Sequence, residues 1–319
     1  MTLAVLPEEE NIQHLRQTNY NAEVIDRIDV NDELIILRVR PDHGVTSFVP
    51  GQYSVMGLGN WEMRVPGCQE EHLEEDERQR VLKRAYSFSC SMVDENGSLR
   101  RPDEFSYFEF YIVLVRQGEK HPPGLTPRLF GLAAGDRLFV GPKATGHYTL
   151  DLVQPDDNIV MAATGTGEAP HNAMVAQLLS TGHRGQVITV ICVRNRHDLG
   201  YEETHRQLEQ AYGNYRHLQL TTREPENLDT SRDDFIGKQY LQDYFDSIEF
   251  ERDSGIPLDP QCTHVFLCGN PAMIGAPKRD AQGVLRFPKP TGVIEILSRR
   301  GFHPDERSHP GNIHYEKYW

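Results

Sequence analysis

Arg84, Ala85, Tyr86 and Ser87 bring a cationic fork, a flat ring and a small hydroxyl into four consecutive residues. On a strand, Arg84 and Tyr86 share one face. Arginine binds a pyrophosphate through charge-assisted, often bidentate hydrogen bonds. Tyrosine offers a ring for stacking, and Ser87 adds a hydroxyl at the edge of whatever is stacked. Together the four suit a flavin nucleotide. Alone, they equally describe a core tyrosine flanked by solvent-facing groups. Further on, Gly124, Leu125, Thr126, Pro127, Arg128 and Leu129 place a flexible glycine and a hydroxyl at a helix start. The backbone N–H groups there suit the same pyrophosphate, or a plain capped helix.

A second group of candidates lies in the other half of the chain. Residues 163–170 read ATGTGEAP, between an apolar run and a helical pattern. Glycines let the backbone approach a diphosphate, Pro170 suits a first helical turn, and the helix start carries partial positive charge. The stretch departs from the G-x-G-x-x-G fingerprint by placing proline last. Glu168 is awkward there, because a carboxylate beside a phosphate site costs energy unless it points away. Cys268, Gly269, Asn270 and Pro271 end a second apolar run, where ligands of open α/β sheets bind, although a cysteine there is commonly an apolar filler. Finally, Glu316, Lys317, Tyr318 and Trp319 close the sequence on two aromatics. Termini normally fray and gain nothing from exposed rings, so a flat buried partner is expected.

The elements that must position these residues fall into two textures. Residues 21–39 alternate as two short strands joined at Asn31 and Asp32. Strand patterns return at residues 48–53, 84–91, 105–115, 138–140 and 148–150, and about six strands with turn signals between them predict a small antiparallel β-barrel. Residues 59–82 interrupt it as a surface insertion. Six acids within residues 70–77 read as a solvated face. From residue 155 the texture changes. Apolar runs at 158–163, 185–193, 217–221 and 264–268 alternate with helical patterns at 169–180, 201–212 and 234–245, the signature of a doubly wound parallel sheet. The predicted organisation is therefore a barrel domain over 1–154 and an α/β domain over 155–319.

Composition bounds the partners. A chain of 319 residues is long for one hydrophobic core. A net charge of −14 argues against a nucleic-acid partner. The absence of an apolar run of about 18 residues argues against a membrane span. The opening residues show no basic region followed by an apolar stretch, so no secretory leader is expected. Five scattered cysteines, never in C-x-x-C spacing, argue against a disulfide framework, a structural zinc and an iron–sulfur cluster. No metal site is expected, and a cytoplasmic location is.

The order of the segments RAYS, GLTPRL, TGTGEAP, VFLCGNPAMI and EKYW resembles the ferredoxin–NADP⁺ reductase family, particularly its bacterial flavodoxin/ferredoxin reductases. The resemblance covers residues 20–319, with interruptions near 59–82 and 275–290. It implies that the barrel binds FAD and the α/β domain binds NADP(H), NAD being the lesser choice. It further implies that Arg84, Ala85, Tyr86 and Ser87 form the FAD contact strand and Tyr111 a second flavin contact. Gly124, Leu125 and Thr126 would clasp the pyrophosphate, and Thr166 would face both cofactors. Cys268 would line the nicotinamide pocket with Gly269, Asn270, Pro271 and Ala272 beside it. Glu316 would supply protons, Tyr318 would cover the second flavin face as a displaceable lid, and Trp319 would lie toward the adenosine side. Arg194, Thr222, Arg223 and Lys238 match positions that bind the coenzyme's 2′-phosphate, with Arg232 a possible substitute.

The activity so implied is hydride exchange between NADP(H) and FAD coupled to one-electron transfer with ferredoxin or flavodoxin. Those carriers are usually acidic, as this chain is, so a local basic patch is needed. Arg78, Arg80, Lys83, Arg100, Arg101, Lys278 and Arg279 are the candidates. Two other readings stand beside it. One is a reductase component serving another acceptor, such as an oxygenase. The other is a non-catalytic nucleotide-binding regulatory subunit, against which the intact Ser87, Cys268 and Glu316 weigh.

Overall fold

The structure, a computed structural model, describes residues 8–306 and 308–318. Residues 1–7, on which the leader expectation bears, together with Arg307 and Trp319, lie outside the described residues. The chain forms two compact units. One holds the residues up to Cys90 together with Asp103–His147, and the other holds Ser91–Pro102 and the residues from Tyr148 onward.

In the first unit, helix α1 (Glu8–Asn19) precedes strands β1 (Ala22–Asn31), β2 (Leu34–Pro41), β3 (Tyr53–Gly59), β4 (Val81–Ser87) and β5 (Phe108–Val113). Helix α2 (Thr126–Leu129) and strand β6 (Arg137–Val140) complete it. The strands pair antiparallel in the order β4-β3-β6-β1-β2-β5. The two edges meet just beyond β4, where Ser89 N–H donates to the Glu109 carbonyl at 2.9 Å. That bridge links the two edges of the sheet, as the expected antiparallel barrel requires. Alternation explains the core: Ile35, Leu37 and Val39 of β2 face Phe108, Phe110 and Ile112 of β5 and Met56 and Leu58 of β3.

The 59–82 insertion is only partly a solvated excursion. Arg128, 3% exposed, reaches into it from α2. Its guanidinium donates to Glu71 Oε2 at 2.6 Å, to the Asn60 carbonyl at 3.0 Å and to the Glu62 carbonyl at 3.2 Å. Glu71, one of the six acids read as solvated, is thus the partner of a buried cation. Removing either partner alone would leave an uncompensated charge. At the insertion's start, Tyr20 donates to Glu62 at 2.8 Å and accepts from Gly59 N–H at 2.8 Å.

In the second unit, β7 (Asn158–Thr164), α3 (Glu168–Ser180), β8 (Val187–Val193), α4 (Glu202–Ala211) and β9 (Tyr215–Thr221) alternate as expected. They are followed by α5 (Pro225–Leu228), α6 (Leu241–Asp246), α7 (Glu249–Ser254), β10 (Thr263–Gly269) and α8 (Pro271–Ile274). A short hairpin of β11 (Lys278–Arg279) and β12 (Leu285–Arg286), then α9 (Val293–Arg299) and β13 (Ile313–Lys317), ends the unit. The five-stranded sheet runs β13-β10-β7-β8-β9 and every pairing is parallel. All seven residues of β8 are buried, as a strand covered on both faces requires. The chain winds outward from β7 through β9 and then returns to the other side of β7 as β10. The switch point, where such sheets bind ligands, is the crevice between β7 and β10.

Two expected elements differ. Residues 148–150 are not a strand. Tyr148 instead anchors in the second unit, with its hydroxyl 2.7 Å from His171 Nε2 and its ring edge-on to Phe266 at 5.6 Å. The helix expected over 234–245 shrinks to α6. Asn227 holds the Gly237 carbonyl at 2.8 Å, Gly237 takes φ 76°, and residues 229–240 form turns rather than a helix.

His171 carries a consequence for pH. Complete burial disfavours its imidazolium and pushes its pKa down to about 3. In the unfolded chain it titrates near the ordinary value of about 6.5. Between those values the unfolded state binds the extra proton, so the stability is intact above 6.5 and drains as pH falls toward 3. Its slope is at most ~1.4 kcal/mol per pH unit. Urea unfolding between pH 7 and pH 5 checks this. His171→Gln, which keeps a partner for Tyr148, should give a shallower loss than the parent, and identical slopes would exclude the assignment.

Candidate active site

The turn between β7 and α3 is built for close backbone approach. Gly165 sits at φ 51°, in the left-handed region. A Cβ on Gly167 would lie 2.5 Å from the Cys268 carbonyl oxygen and 2.9 Å from Gly269 N. A Cβ on Gly269, at φ 119°, would lie 2.3 Å from Thr164 Oγ1. With neither present, Asn270 N–H donates to Thr164 Oγ1 at 2.8 Å. The carboxyl ends of β7 and β10 are thereby laced together at the switch point. Asn270 also caps α8, its side chain accepting from Ala272 N–H at 2.8 Å with Pro271 in the first turn. Thr166 is 8% exposed in the turn.

Parallel pairing of β10 with β13 sets Cys268 opposite Glu316 and Gly269 opposite Lys317. Tyr318 N–H then donates to the Gly269 carbonyl at 3.1 Å. The Cys268 thiol is fully buried. Burial pushes its pKa well up, the Glu316 charge adds to that, and a hydrogen bond with the Tyr318 side chain works in the opposite direction. Three of the four predicted catalytic residues are therefore in one cluster. Ser87, the fourth, belongs to the first unit, and Trp319 lies outside the described residues. Sequence reasoning missed Tyr148 and His171. Burial raises the Tyr148 phenol well above its usual range, and the charges of Cys268, Glu316 and Tyr318 add to the rise. The spacing of those two residues carried no signal.

The residues expected at a 2′-phosphate sit after β8 and β9. Arg223 N–H donates to the Arg194 carbonyl at 2.8 Å, and Thr222 N–H to the Val193 carbonyl at 3.1 Å, so the two loops are tied by backbone. Arg194 is tethered to Asp198, Nε to Oδ2 at 3.3 Å. Gln239 N–H donates to the Thr221 carbonyl at 3.2 Å, which returns Lys238 to the end of β9. Arg223 and Lys238 are exposed and make no ion pair among the described residues. Arg232 is engaged by Asp234 at 2.7 Å. Arg196, also missed, pairs with Glu226.

In the first unit, β4 pairs with β3 so that Ser87 lies opposite Tyr53 and Arg84 opposite Met56. Arg84 and Ala85 are exposed, Tyr86 is half-buried with its ring edge-on to Phe110 at 6.5 Å, and Ser87 is buried. Gly124 packs against the same strand, for a Cβ there would meet Leu82 at 2.6 Å. Leu125 is in the barrel core, and Thr126 Oγ1 accepts from Val115 N–H at 3.1 Å. Tyr111 is buried on β5 opposite Ile36.

An antiparallel barrel followed by a doubly wound sheet, with a glycine turn at the switch point, defines the class of two-unit nucleotide-dependent oxidoreductases. Residues 161–279 match the oxidoreductase NAD-binding domain family. The flavodoxin/ferredoxin–NADP reductase of Escherichia coli (strain K12) is 30% identical over 239 residues, 75% of this chain and 79% of that protein. The protein of the same name from Buchnera aphidicola (subsp. Baizongia pistaciae) is 27% identical over 241 residues, 75% of this chain and 82% of its own. A solved ferredoxin NADP⁺ reductase from Neisseria gonorrhoeae, with bound FAD and NADP, superposes with TM-score 0.66 at 19% identity. It covers 94% of this chain and 98% of that one. The FAD/NAD-binding domain of a Vibrio cholerae nitric oxide dioxygenase shares the fold with TM-score 0.59 at 17% identity, covering 94% and 98%. The chain belongs to the ferredoxin–NADP reductase family of oxidoreductases.

The two glycines of the turn separate two physical costs. Gly167→Ala drives a Cβ into the β10 backbone and should cost about 1–3 kcal/mol by overpacking. Gly165→Ala meets nothing within 4 Å and bears only its positive φ, about 1 kcal/mol. Thermal midpoints should rank parent, Gly165→Ala, Gly167→Ala in descending order. The reverse order for the two variants would refute the packing argument.

Proposed function

We propose that this protein is an FAD-dependent reductase that exchanges hydride with NADP(H) and passes electrons singly to a ferredoxin or flavodoxin. The observation that carries it is the cluster of Cys268, Glu316 and Tyr318 at the strand ends beside the Gly165–Gly167 turn. There a buried thiol, a carboxylate and a ring meet at the switch point of the sheet. In this reading the barrel half, 1–154, holds FAD, the half from 155 to 319 holds NADP, and the cytoplasm is the setting.

The residues present fit these groups. Arg84 is exposed and its guanidinium donates only to the neighbouring Lys83 carbonyl, at 2.8 Å. It is thus a cation without a carboxylate partner among the described residues, available to a pyrophosphate. Gly124, Leu125 and Thr126 lie against the same strand, so their backbone N–H groups serve the same phosphates. The Tyr86 and Tyr111 rings and the Ser87 hydroxyl supply the ring-facing side. When bound, the flavin accepts hydride from the nicotinamide and releases electrons one at a time. The chain's own residues align and gate. Gly269, Asn270, Pro271 and Ala272 shape the nicotinamide end, and Thr166 caps it from the glycine turn. Glu316 holds a proton near the cluster. Tyr318 is the displaceable ring, with Trp319 beyond it.

Discrimination for the 2′-phosphate falls to Arg223 and Lys238, which make no ion pair among the described residues, with Arg194 and Thr222 tied beside them. One observation favours a second reading, a reductase serving a different acceptor. Arg78 is paired with Glu75, Arg80 with Asp76 and Arg279 with Glu306. Of the candidates, that leaves Lys83 and Lys278 exposed and in no ion pair among the described residues, although exposed pairs of this kind open readily.

Steady-state cytochrome c reduction with NADPH or NADH, with and without ferredoxin, tests the whole reading. A yellow, NADPH-bleachable protein whose rate rises with ferredoxin is expected. A colourless folded protein that refuses added FAD sinks it, and a ferredoxin-independent rate selects the second reading. Arg223→Ala should raise KM for NADPH about 10–100-fold, as loss of a charge-assisted contact implies, while KM for NADH changes little. Tyr318→Ser should tighten NADP binding and slow turnover. Unaltered kinetics would remove the lid.

A further inference from the structure

Glu168, the awkward carboxylate of the glycine turn, does not face the turn. Its Oε1 lies 2.8 Å from His205 Nε2 on α4, and both residues are buried. The His205 ring stacks on His217 of β9, centroids 4.0 Å apart and 9° from parallel. On their other edge both rings are held by hydroxyls. His205 Nδ1 is 2.6 Å from the Tyr215 hydroxyl, His217 Nδ1 is 2.8 Å from Thr189 Oγ1, and those two hydroxyls are 2.9 Å apart. In the tautomer in which each Nδ1–H donates to its hydroxyl, each ring presents a basic Nε2. One of the two meets Glu168. The other, His217 Nε2, is buried with no hydrogen-bond partner.

We infer that Glu168, His205 and His217 form a binding site for one divalent transition-metal ion of the zinc class. Their ligand atoms all lie within 4.8 Å of one another, each drawn from a buried side chain. Two imidazole nitrogens and a carboxylate are a donor set that zinc and its neighbours prefer. Ligand bonds of about 2.0–2.1 Å in a tetrahedral arrangement require ligand atoms roughly 3.3 Å apart. Opening the 2.8 Å contact by about half an ångström and fanning the two stacked rings achieves this. The three side chains supply three of the four tetrahedral positions, which leaves one open. The hydroxyl partners on Nδ1 orient each ring, as the outer shell of such a site does. The ion also answers two local deficits. It gives His217 Nε2 a partner, and it gives the buried Glu168 carboxyl a cation to neutralise it. The expectation of no metal rested on cysteine spacing, which is blind to a site made of histidines and a glutamate.

Because Glu168 is the first residue of α3, the ion would tie the start of that helix to α4 and β9 and stiffen the glycine turn. The test uses untagged full-length protein stripped with chelator and reads binding without NADPH or turnover. Calorimetric titration with Zn²⁺ and absorption titration with Co²⁺ should each show one site per chain, with Kd at or below the micromolar range. Added Zn²⁺ should raise the thermal midpoint. Glu168→Gln and His217→Asn, confirmed folded by circular dichroism, should each weaken binding at least about 100-fold and abolish the midpoint rise. Thr189→Val should weaken it about 10–100-fold through the lost outer-shell bond. If the stripped parent binds no ion, or if both ligand variants keep a one-to-one site, the proposal is overturned.

Discussion

The second unit depends on one approach of bare backbone to bare backbone, Gly167 against the Cys268–Gly269 peptide. Any Cβ on either side would sit at a distance that side chains do not tolerate. The contact lets Thr164 Oγ1 receive the Asn270 N–H and brings the ends of β7 and β10 to the same level. Much else follows from that level. The β10–β13 register sets Glu316 beside Cys268, and the Gly269 carbonyl, turned by its positive φ, is free to accept Tyr318 N–H. Residues from opposite ends of the unit's sequence thus converge on one site because two glycines leave room.

Charge is arranged to complement that site. The chain carries 47 acidic and 33 basic residues, and many of its arginines are paired with an acid. Arg38 is spent on Glu109, Arg128 on Glu71, Arg137 on Asp42, Arg184 on Asp156 and Arg300 on Glu251. These pairs hold elements together. Arg84, Arg223 and Lys238 are left exposed and without carboxylate partners among the described residues, at positions where a phosphate is proposed. Strong anion sites in an acidic protein are made by withholding partners from a few cations, since charge-assisted bonds already formed internally must be broken before a ligand can use them.

What could be read from the sequence was whatever depends on local pattern. The six apolar residues of β8 and the glycines punctuating residues 163–170 declare a buried strand and a tight turn without help from the rest of the chain. The order of five short segments carried the family. Features set by tertiary context were hidden. Strand β13, IHYEK, has two charges in five residues and forms because β10 offers it an edge. Tyr148 resembles a strand residue until His171 and Phe266 claim it. Glu71 read as solvated because its burial depends on its pairing with Arg128. The helix expected over 234–245 kept only α6, because residues 236 and 237 are tied back to Glu226 and Asn227. No periodicity announces such bonds.

Glu168 shows how the same reasoning can be right about a problem and blind to its solution. A carboxylate at the first turn of a helix is ordinarily welcome, because it faces the positive end of the helix dipole. In a dinucleotide turn it would compete with the phosphates for that same positive end. Turning inward to His205 removes the competition but buries the group, and a buried carboxylate is unstable unless it gains a proton or a cation. Either outcome deletes its negative charge at the site, leaving the N–H groups of the turn to the dinucleotide. If the turn holds a dinucleotide as proposed, α4 and β9 make its glutamate tolerable by supplying two imidazoles behind it. The proposed nucleotide site in front and the imidazole cluster behind would then be parts of one electrostatic arrangement.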